Sequence, residues 1–492
     1  MSMIKVENLT FAYPSGFDNV FENVSFQIDT DWKLGFIGRN GRGKTTFLNL
    51  LLGKYAYSGR IISSVRFDYF PYPVEDKSLL TLEVAEKICP IAEEWEIIRE
   101  TAYLNLDAGV LYRPFNTLSE GEQTKVLLAA LFLNEDRFLL IDEPANHLDY
   151  AGRKAVAEYL KKKKSFILVS HDRDFLDGCV DHILALNRTD IEVRNGNFSS
   201  WMTNFEKQQE SETARNKHLK KDIKRLQQAA RRSADWSSRV EATKAGAYDK
   251  GFVGHKAAKM MKRSKAIEAR QKQAIEEKSA LLKNAEMIAQ LKISPLEFYK
   301  DTLLTLSDVE VCYNGESVCQ PVSFSVRSGE RIALDGPNGS GKSSLLKILI
   351  GSLKSYEGTC STASGLVISY VKQNTADLSG SLSDFAAENN IDESLFKAIL
   401  QKLDFNKTQF ERDINSFSNG QKKKVLIAKS LCEKAHLYVW DEPLNYIDLY
   451  SRVQIENLIR QFSPTMIFVE HDCAFRKNTA TKTVKITKAV GH

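Results

Sequence analysis

The chain has 492 residues, 43% of them apolar and 27% charged, with a formal net charge of +5; that balance is ordinary for folded globular domains and excludes a disordered or low-complexity chain. The length implies about three domains of ~150 residues. Seven scattered cysteines without a CxxC pair exclude a disulfide framework or a cysteine-rich zinc site, and the lack of a leader pattern or an apolar run near ~18 residues makes the cytoplasm the expected address, without a membrane span.

Taken in chain order, the first strand that leads into chemistry is KLGFI at 33 to 37, followed by GRNGRGKT at 38 to 45 and a helical run. A strand, a GxxxxGK[ST] loop and a helix make a phosphate loop: Gly38, Gly41 and Gly43 let the backbone turn its amides toward phosphate, and the helix N-terminus adds its dipole. Lys44 is expected to reach the β and γ phosphates of ATP and Thr45 to hold Mg²⁺, with Asn40 and Thr46 completing the cradle. The next landmark is LSEGEQ at 118 to 123, where Ser119 and Gly121 open a helix and so form a second anion-binding terminus. Each domain already has its own phosphate loop, so this terminus has to serve a partner. The buried-strand pattern RFLLID then ends in Asp142 and Glu143; Asp142 is expected to orient Mg²⁺ through its water and Glu143 to position the attacking water. His171, after a further strand-like run, is placed to contact the γ phosphate.

From 206 to 292 the composition changes. This segment holds 22 Lys and Arg against 11 Asp and Glu, an excess of +11 that leaves −6 for the remainder. Leu219, Ile223, Leu226 and Ala230 alternate by four and three, and Ile267, Ala274, Leu281 and Ile288 recur every seven residues, each giving one narrow apolar seam. The expectation is two long helices packed as an antiparallel hairpin, the first of them about 50 Å long at ~1.5 Å per residue. The turn falls at 242 to 256, where three glycines interrupt the pattern. It carries Tyr248, Phe252 and His255 among Lys244, Lys250 and Lys256, aromatics for stacking and cations for phosphate, as RNA contacts require. A solvated hairpin used for protein contact is the alternative.

The motif set then returns. GPNGSGKS at 336 to 343 places Lys342 298 residues after Lys44, with Gly336, Gly339, Gly341, Ser343, Asn338 and Ser344 in the cradle roles. From each lysine the signature serine (Ser119, Ser418) lies at 75 and 76 residues, the acidic pair (Asp142 and Glu143, Asp441 and Glu442) begins at 98 and 99, and the histidine (His171, His471) lies at 127 and 129. Gly420 repeats Gly121. Two copies of one ATPase domain therefore lie in one polypeptide.

The signature segments resemble those of the ABC ATPase superfamily, in which two domains sandwich two nucleotides head to tail. The resemblance implies an α/β fold of two tandem ABC-type P-loop ATPase domains joined by a long antiparallel helical hairpin, with bounds near 1–204, 205–300 and 301–492. It implies further that Ser119 and Gly121 complete the ATP held by Lys342, and Ser418 and Gly420 the one held by Lys44. Tyr13 and Tyr313, 31 and 29 residues before the lysines, stand where the superfamily stacks an aromatic on adenine, although packing inside each domain is nearly as good a reading. Gln373 matches the loop glutamine that helps ligate Mg²⁺, whereas the first copy has Tyr72 there. Glu120, Asn419 and Glu122 depart from the LSGGQ pattern.

Two such domains, a basic hairpin and DEPANHLD at 142 to 149 look like the ABC-F family of ribosome-associated ATPases, and within it the antibiotic-resistance, ribosome-protection subgroup of the Lsa type. That resemblance implies a monomer with an intramolecular ATPase sandwich that binds the ribosomal E site, directs the hairpin at 23S rRNA and the P-site tRNA, and protects against lincosamides, streptogramin A and pleuromutilins. A housekeeping translation factor of the same family, the ATPase subunit of a drug-efflux transporter and a DNA-repair or chromosome-organising ATPase are the rival readings.

Overall fold

A computed structural model describes residues 3–14, 19–134, 136–146, 148–187, 190–242, 290–313 and 316–489. The turn residues Lys244, Tyr248, Lys250, Phe252, His255 and Lys256, and the second arm of the expected hairpin, lie outside them.

Short runs such as FILV at Phe166–Val169 and LYVWD at Leu437–Asp441 are buried along their whole length, as strands covered on both faces must be. They assemble into two parallel sheets. In the first half the strand order is Arg66–Phe70, Arg137–Asp142, Phe166–Val169, Lys33–Gly38, His182–Leu186, with Ile191–Asn195 added antiparallel at the edge. In the second half Ile368–Val371, Leu437–Asp441, Met466–Val469, Arg331–Asp335 and Lys482–Lys485 repeat that order, all parallel. Each half also has an antiparallel sheet. Met3–Phe11 lies between Phe21–Asp29 and Ser58–Ser63, and Thr302–Tyr313 lies between Val322–Arg327 and Tyr356–Thr362. Side chains of Met3–Phe11 alternate between exposed and buried, the pattern of a sheet with one wet face.

Aromatic side chains fill the space between the two sheets of the first half: Phe47, on the helix after the phosphate loop, meets Phe21, Phe26 and Phe36 at 5.5 to 6.0 Å between ring centroids. Fully burying a side chain of this kind stabilises a fold by roughly 1.5–3 kcal/mol, so the phosphate-loop helix is anchored by its apolar face.

The helix Phe198–Ala242 runs unbroken for 45 residues, and residues 202–287 form a compact unit separate from the ATPase body. The base of this helix belongs to that body. Ser199 donates its backbone N–H to Asp177 of the first half at 2.9 Å, while Trp201, buried, sets its ring edge against Tyr450 of the second at 5.9 Å. On the return, Leu291 and Ile293, which the sequence reading assigns to the connector, are buried in the core of the second half.

Candidate nucleotide sites

Because the central strands of each sheet run parallel, their carboxyl ends share one edge, and ligands of open α/β sheets bind there. In the first half Asp142 pairs with Val169, and Val169 with Phe36 just before the phosphate loop. The loop, the acidic pair and His171 are thus drawn together from distant parts of the sequence. Gly43, at φ 103°, turns the chain into the helix Lys44–Leu51, and Gly341, at φ 86°, does the same for Lys342–Leu349.

At the first site the Lys44 ammonium donates to the Gly38 and Arg39 carbonyls and to Asn40 Oδ1 at 2.8, 3.2 and 3.3 Å. Burial lowers its pKa. Thr45 Oγ1 donates to Asp142 Oδ2 at 2.9 Å, and Tyr69 donates to the same oxygen at 3.1 Å. Glu143 follows with a left-handed backbone, φ 50°. Burial pushes its carboxyl well up from the usual range, and burial pushes the His171 imidazole well down; Nε2 of the imidazole lies 3.3 Å from Oε1.

The second site has the same parts in a different electrostatic state. Lys342 donates to the Gly336 and Pro337 carbonyls, each at 2.8 Å, and Ser343 Oγ donates to Asp441 Oδ1 at 3.0 Å. Burial pushes the Asp441 carboxyl up to about 6. Glu442 is also buried, which acts to raise its pKa, but hydrogen bonds from His471 and Gln373 outweigh burial and hold it below the usual value. Gln373 Nε2 and Asn445 Nδ2 donate to Glu442 Oε2 at 2.8 and 2.6 Å, and His471 Nε2 lies 3.5 Å from Oε1. In the first half, register makes Tyr72 the counterpart of Gln373, since Phe70 pairs with Ile141 as Val371 pairs with Trp440. Tyr72 is 37% exposed, and among the described residues nothing donates to Glu143 Oε1.

Tyr13 and Tyr313 tie their hydroxyls to the phosphate-loop helices, to Thr46 Oγ1 at 2.7 Å and to Ser344 Oγ at 2.8 Å. Their rings remain partly exposed, and that of Tyr13 packs edge-on against Phe11 and Tyr55.

The N-termini of the two signature helices lie against the opposite half. Ser119 and Ser418 cap them, each paired with the residue three positions on. In the first, Glu122 Oε2 takes both the Ser119 N–H and its hydroxyl at 2.8 Å. Asn40 of the first phosphate loop donates to the Tyr446 carbonyl of the second half at 2.7 Å, and the same amide lies 3.0 Å from where a Cβ on Gly420 would stand. In the reverse direction a cavity of about 450 Å³ has Lys342, Gln373 and Glu442 on one wall and Glu120, Asn146 and Arg153 of the first half on the other. Gly420 and Asn40 are therefore brought together, and so are Glu120 and the Lys342 loop. A Cβ on Gly420 would also press on the Tyr446 carbonyl. Gly420→Ala is expected to break the bond from Asn40 and lower ATPase activity about tenfold, the equivalent of one hydrogen bond; steady-state phosphate release on a variant of unchanged melting temperature checks it.

Sequence reasoning missed Tyr69, Asn445 and Lys423. Lys423 donates to the Lys372 and Asp441 carbonyls at 2.9 and 3.3 Å. Asn445 lies in DEPLNYID, the second copy of the 142 to 149 motif, without a role assigned to it there; no motif flags Tyr69 or Lys423, which stand beside the loop position of Tyr72 and on the signature helix.

Among known proteins, the family profile described as ABC transporter matches residues 21–146 and 319–445. The chain is 28% identical over 480 residues to the ribosome protection protein VmlR of Bacillus subtilis strain 168, covering 95% of this chain and 84% of VmlR. It is 24% identical over 546 residues to ABC transporter F family member 2 of Arabidopsis thaliana, covering 99% and 76%. A chain in the crystal structure of the archaeal stalk protein aP1 with the archaeal ribosome recycling factor aABCE1 shares the fold at a TM-score of 0.62, with 19% identity and coverage of 98% and 89%.

Proposed function

Since the chain belongs to the ABC transporter family and is an ATP hydrolase, we propose that it is a cytoplasmic ABC-F protein that binds the ribosomal E site when ATP clamps its halves together, and that shields the peptidyl-transferase centre from lincosamides, streptogramin A and pleuromutilins. The clamp rests on one observation above the others: the second half's Tyr446 and Gly420 sit on Asn40 of the first phosphate loop. The near-full-length relation to VmlR supports the ribosomal part. Among the described residues no helix is long and apolar enough to cross a membrane.

In this reading Lys44 and Lys342 neutralise the β and γ phosphates. Thr45 with Asp142, and Ser343 with Asp441 and Gln373, would hold Mg²⁺; the two hydroxyl–carboxylate pairs are all-oxygen donor sets that suit a hard divalent cation. When bound, the ion supplies charge neutralisation at the phosphates. Glu143 and Glu442 position water, His171 and His471 face the γ phosphate, and Ser119, Gly121, Ser418 and Gly420 close each site from the opposite half. Closure creates the ribosome-binding shape, and the turn at 242 to 256 approaches 23S rRNA and the P-site tRNA. Differential affinity of the closed state for ribosomes couples nucleotide to RNA.

The test is ribosome pelleting with ATP. Glu143→Gln combined with Glu442→Gln is expected to stay on ribosomes through a sucrose cushion while the wild type leaves, and to rescue lincosamide-inhibited translation. A double variant that pellets no better than wild type counts against the proposal. Pelleting without drug rescue moves the reading to a housekeeping factor, and co-sedimentation with membranes to a transporter subunit.

A further inference from the structure

The two phosphate loops differ at two positions that the phosphate chemistry does not use. GRNGRGKT has Arg39 and Arg42 where GPNGSGKS has Pro337 and Ser340. Both arginines engage the opposite half. Arg42 Nη2 reaches the two carboxylate oxygens of Asp404 at 2.9 and 3.2 Å, and the Arg39 guanidinium lies 5.5 Å over the ring of Tyr450. Asp404 is itself held in place. It follows the helix Glu393–Lys402 in a left-handed conformation, φ 72°, and the carbonyl of the preceding Leu403 accepts from Lys424, which is paired with Asp448 at 2.9 and 2.7 Å respectively.

The repeat allows each contact to be looked up on the reciprocal face. Asn105, after the helix Glu94–Tyr103 and at φ 56°, is the counterpart of Asp404, and Ala151 is the counterpart of Tyr450. Ser340 is buried, and its hydroxyl has no hydrogen-bond partner among the described residues. Among the described residues, these reciprocal positions therefore carry neither the guanidinium groups nor the carboxylate and ring that meet them. On that face lies the cavity of about 450 Å³ beside Lys342.

We propose that the Arg42–Asp404 bridge, seconded by Arg39 on Tyr450, is a one-sided latch that keeps the Lys44 nucleotide site engaged with the opposite half while the Lys342 site opens. Arg42 and Asp404 are positioning residues: they hold the closing face of the second half over the first phosphate loop. A two-oxygen, charge-assisted contact with both partners three-quarters buried is stronger than an exposed ion pair. The latch rests on the two-nucleotide clamp and not on the ribosomal reading.

The test uses the full chain, Mg²⁺ and a fluorescent, non-hydrolysable ATP analogue chased with unlabelled ATP. The wild type is expected to bind two analogues and release them in two phases of equal amplitude, the slow one lost in Lys44→Ala and the fast one in Lys342→Ala. Arg42→Ser, which installs the second loop's own residue, is expected to speed the slow phase about tenfold and leave the fast one alone, as is Asp404→Asn. The charge exchange Arg42→Asp with Asp404→Arg should restore the slow phase. Two analogues leaving in one phase, both phases accelerating alike, or an exchange that melts like wild type without recovering the slow phase overturns the latch. Binding of fewer than two analogues overturns the clamp and the latch with it.

Discussion

Asp448→Asn is expected to destabilise the chain by about 3–5 kcal/mol, the usual cost of stranding one member of a buried ion pair. Asp448 is fully buried and Lys424 nearly so, their charged atoms 2.7 Å apart, and Asp448 also accepts the Ser451 N–H and hydroxyl at 2.9 and 3.0 Å. Burial by itself would raise the carboxyl. The Lys424 ammonium, its hydrogen bond and nearby Arg39 outweigh burial and hold the pKa far below the ordinary 3.8. With a depressed native pKa the carboxylate stabilises the fold above pH ~3.8, and the contribution is lost as pH falls below that. Urea unfolding at pH 7 should show the full deficit, and the gap between variant and wild type should narrow on acidification. A gap unchanged down to pH 3 would rule out the ion pair as its source. Adding Lys424→Met should recover much of the loss, since removing the ammonium leaves no uncompensated buried charge.

Glu442→Gln is expected to lower kcat by 10² to 10⁴, the range for removing a positioned general base, and to exceed the effect of Glu143→Gln. A carboxylate that positions or deprotonates water has to be ionised. Glu442 is held below its usual pKa and oriented by Gln373 and Asn445, whereas burial keeps Glu143 high with no donor on its Oε1. Phosphate release at saturating ATP for each single variant decides it: equal losses would mean that both sites reach the same catalytic state and that the difference between Tyr72 and Gln373 is without consequence.

The parts that the sequence made legible are those whose chemistry fixes a spacing. A lysine at the start of a helix and an acid at the end of a strand keep their distance because one sheet has to place both at the same edge, so the matched intervals from Lys44 and Lys342 read directly as two copies of one ATPase domain, each built around a largely parallel sheet. Tyr69 was not legible: alternation along FDYFPYP turns it toward Asp142 and leaves Tyr72 exposed, and only the pairing register reveals which is which. Leu291 and Ile293 fall inside the 205–300 connector bound because composition alone does not show whether a partner helix or a domain core covers an apolar residue. Arg42 and Asp404 are 362 positions apart, too far for any local pattern, yet the mismatch between the two phosphate loops marks one end of the pair.

The ATPase body holds the chain at two footings, one on each side of residues 202–287. The outgoing one is tied to the first half through Ser199 and Asp177 and leans on the second through Trp201 and Tyr450; the returning one is sunk in the second half at Leu291 and Ile293. Tyr450 is the same ring that receives Arg39 from the first phosphate loop. The first footing thus spans both halves, and a turn of one half against the other has to strain or break the edge contact between Trp201 and Tyr450.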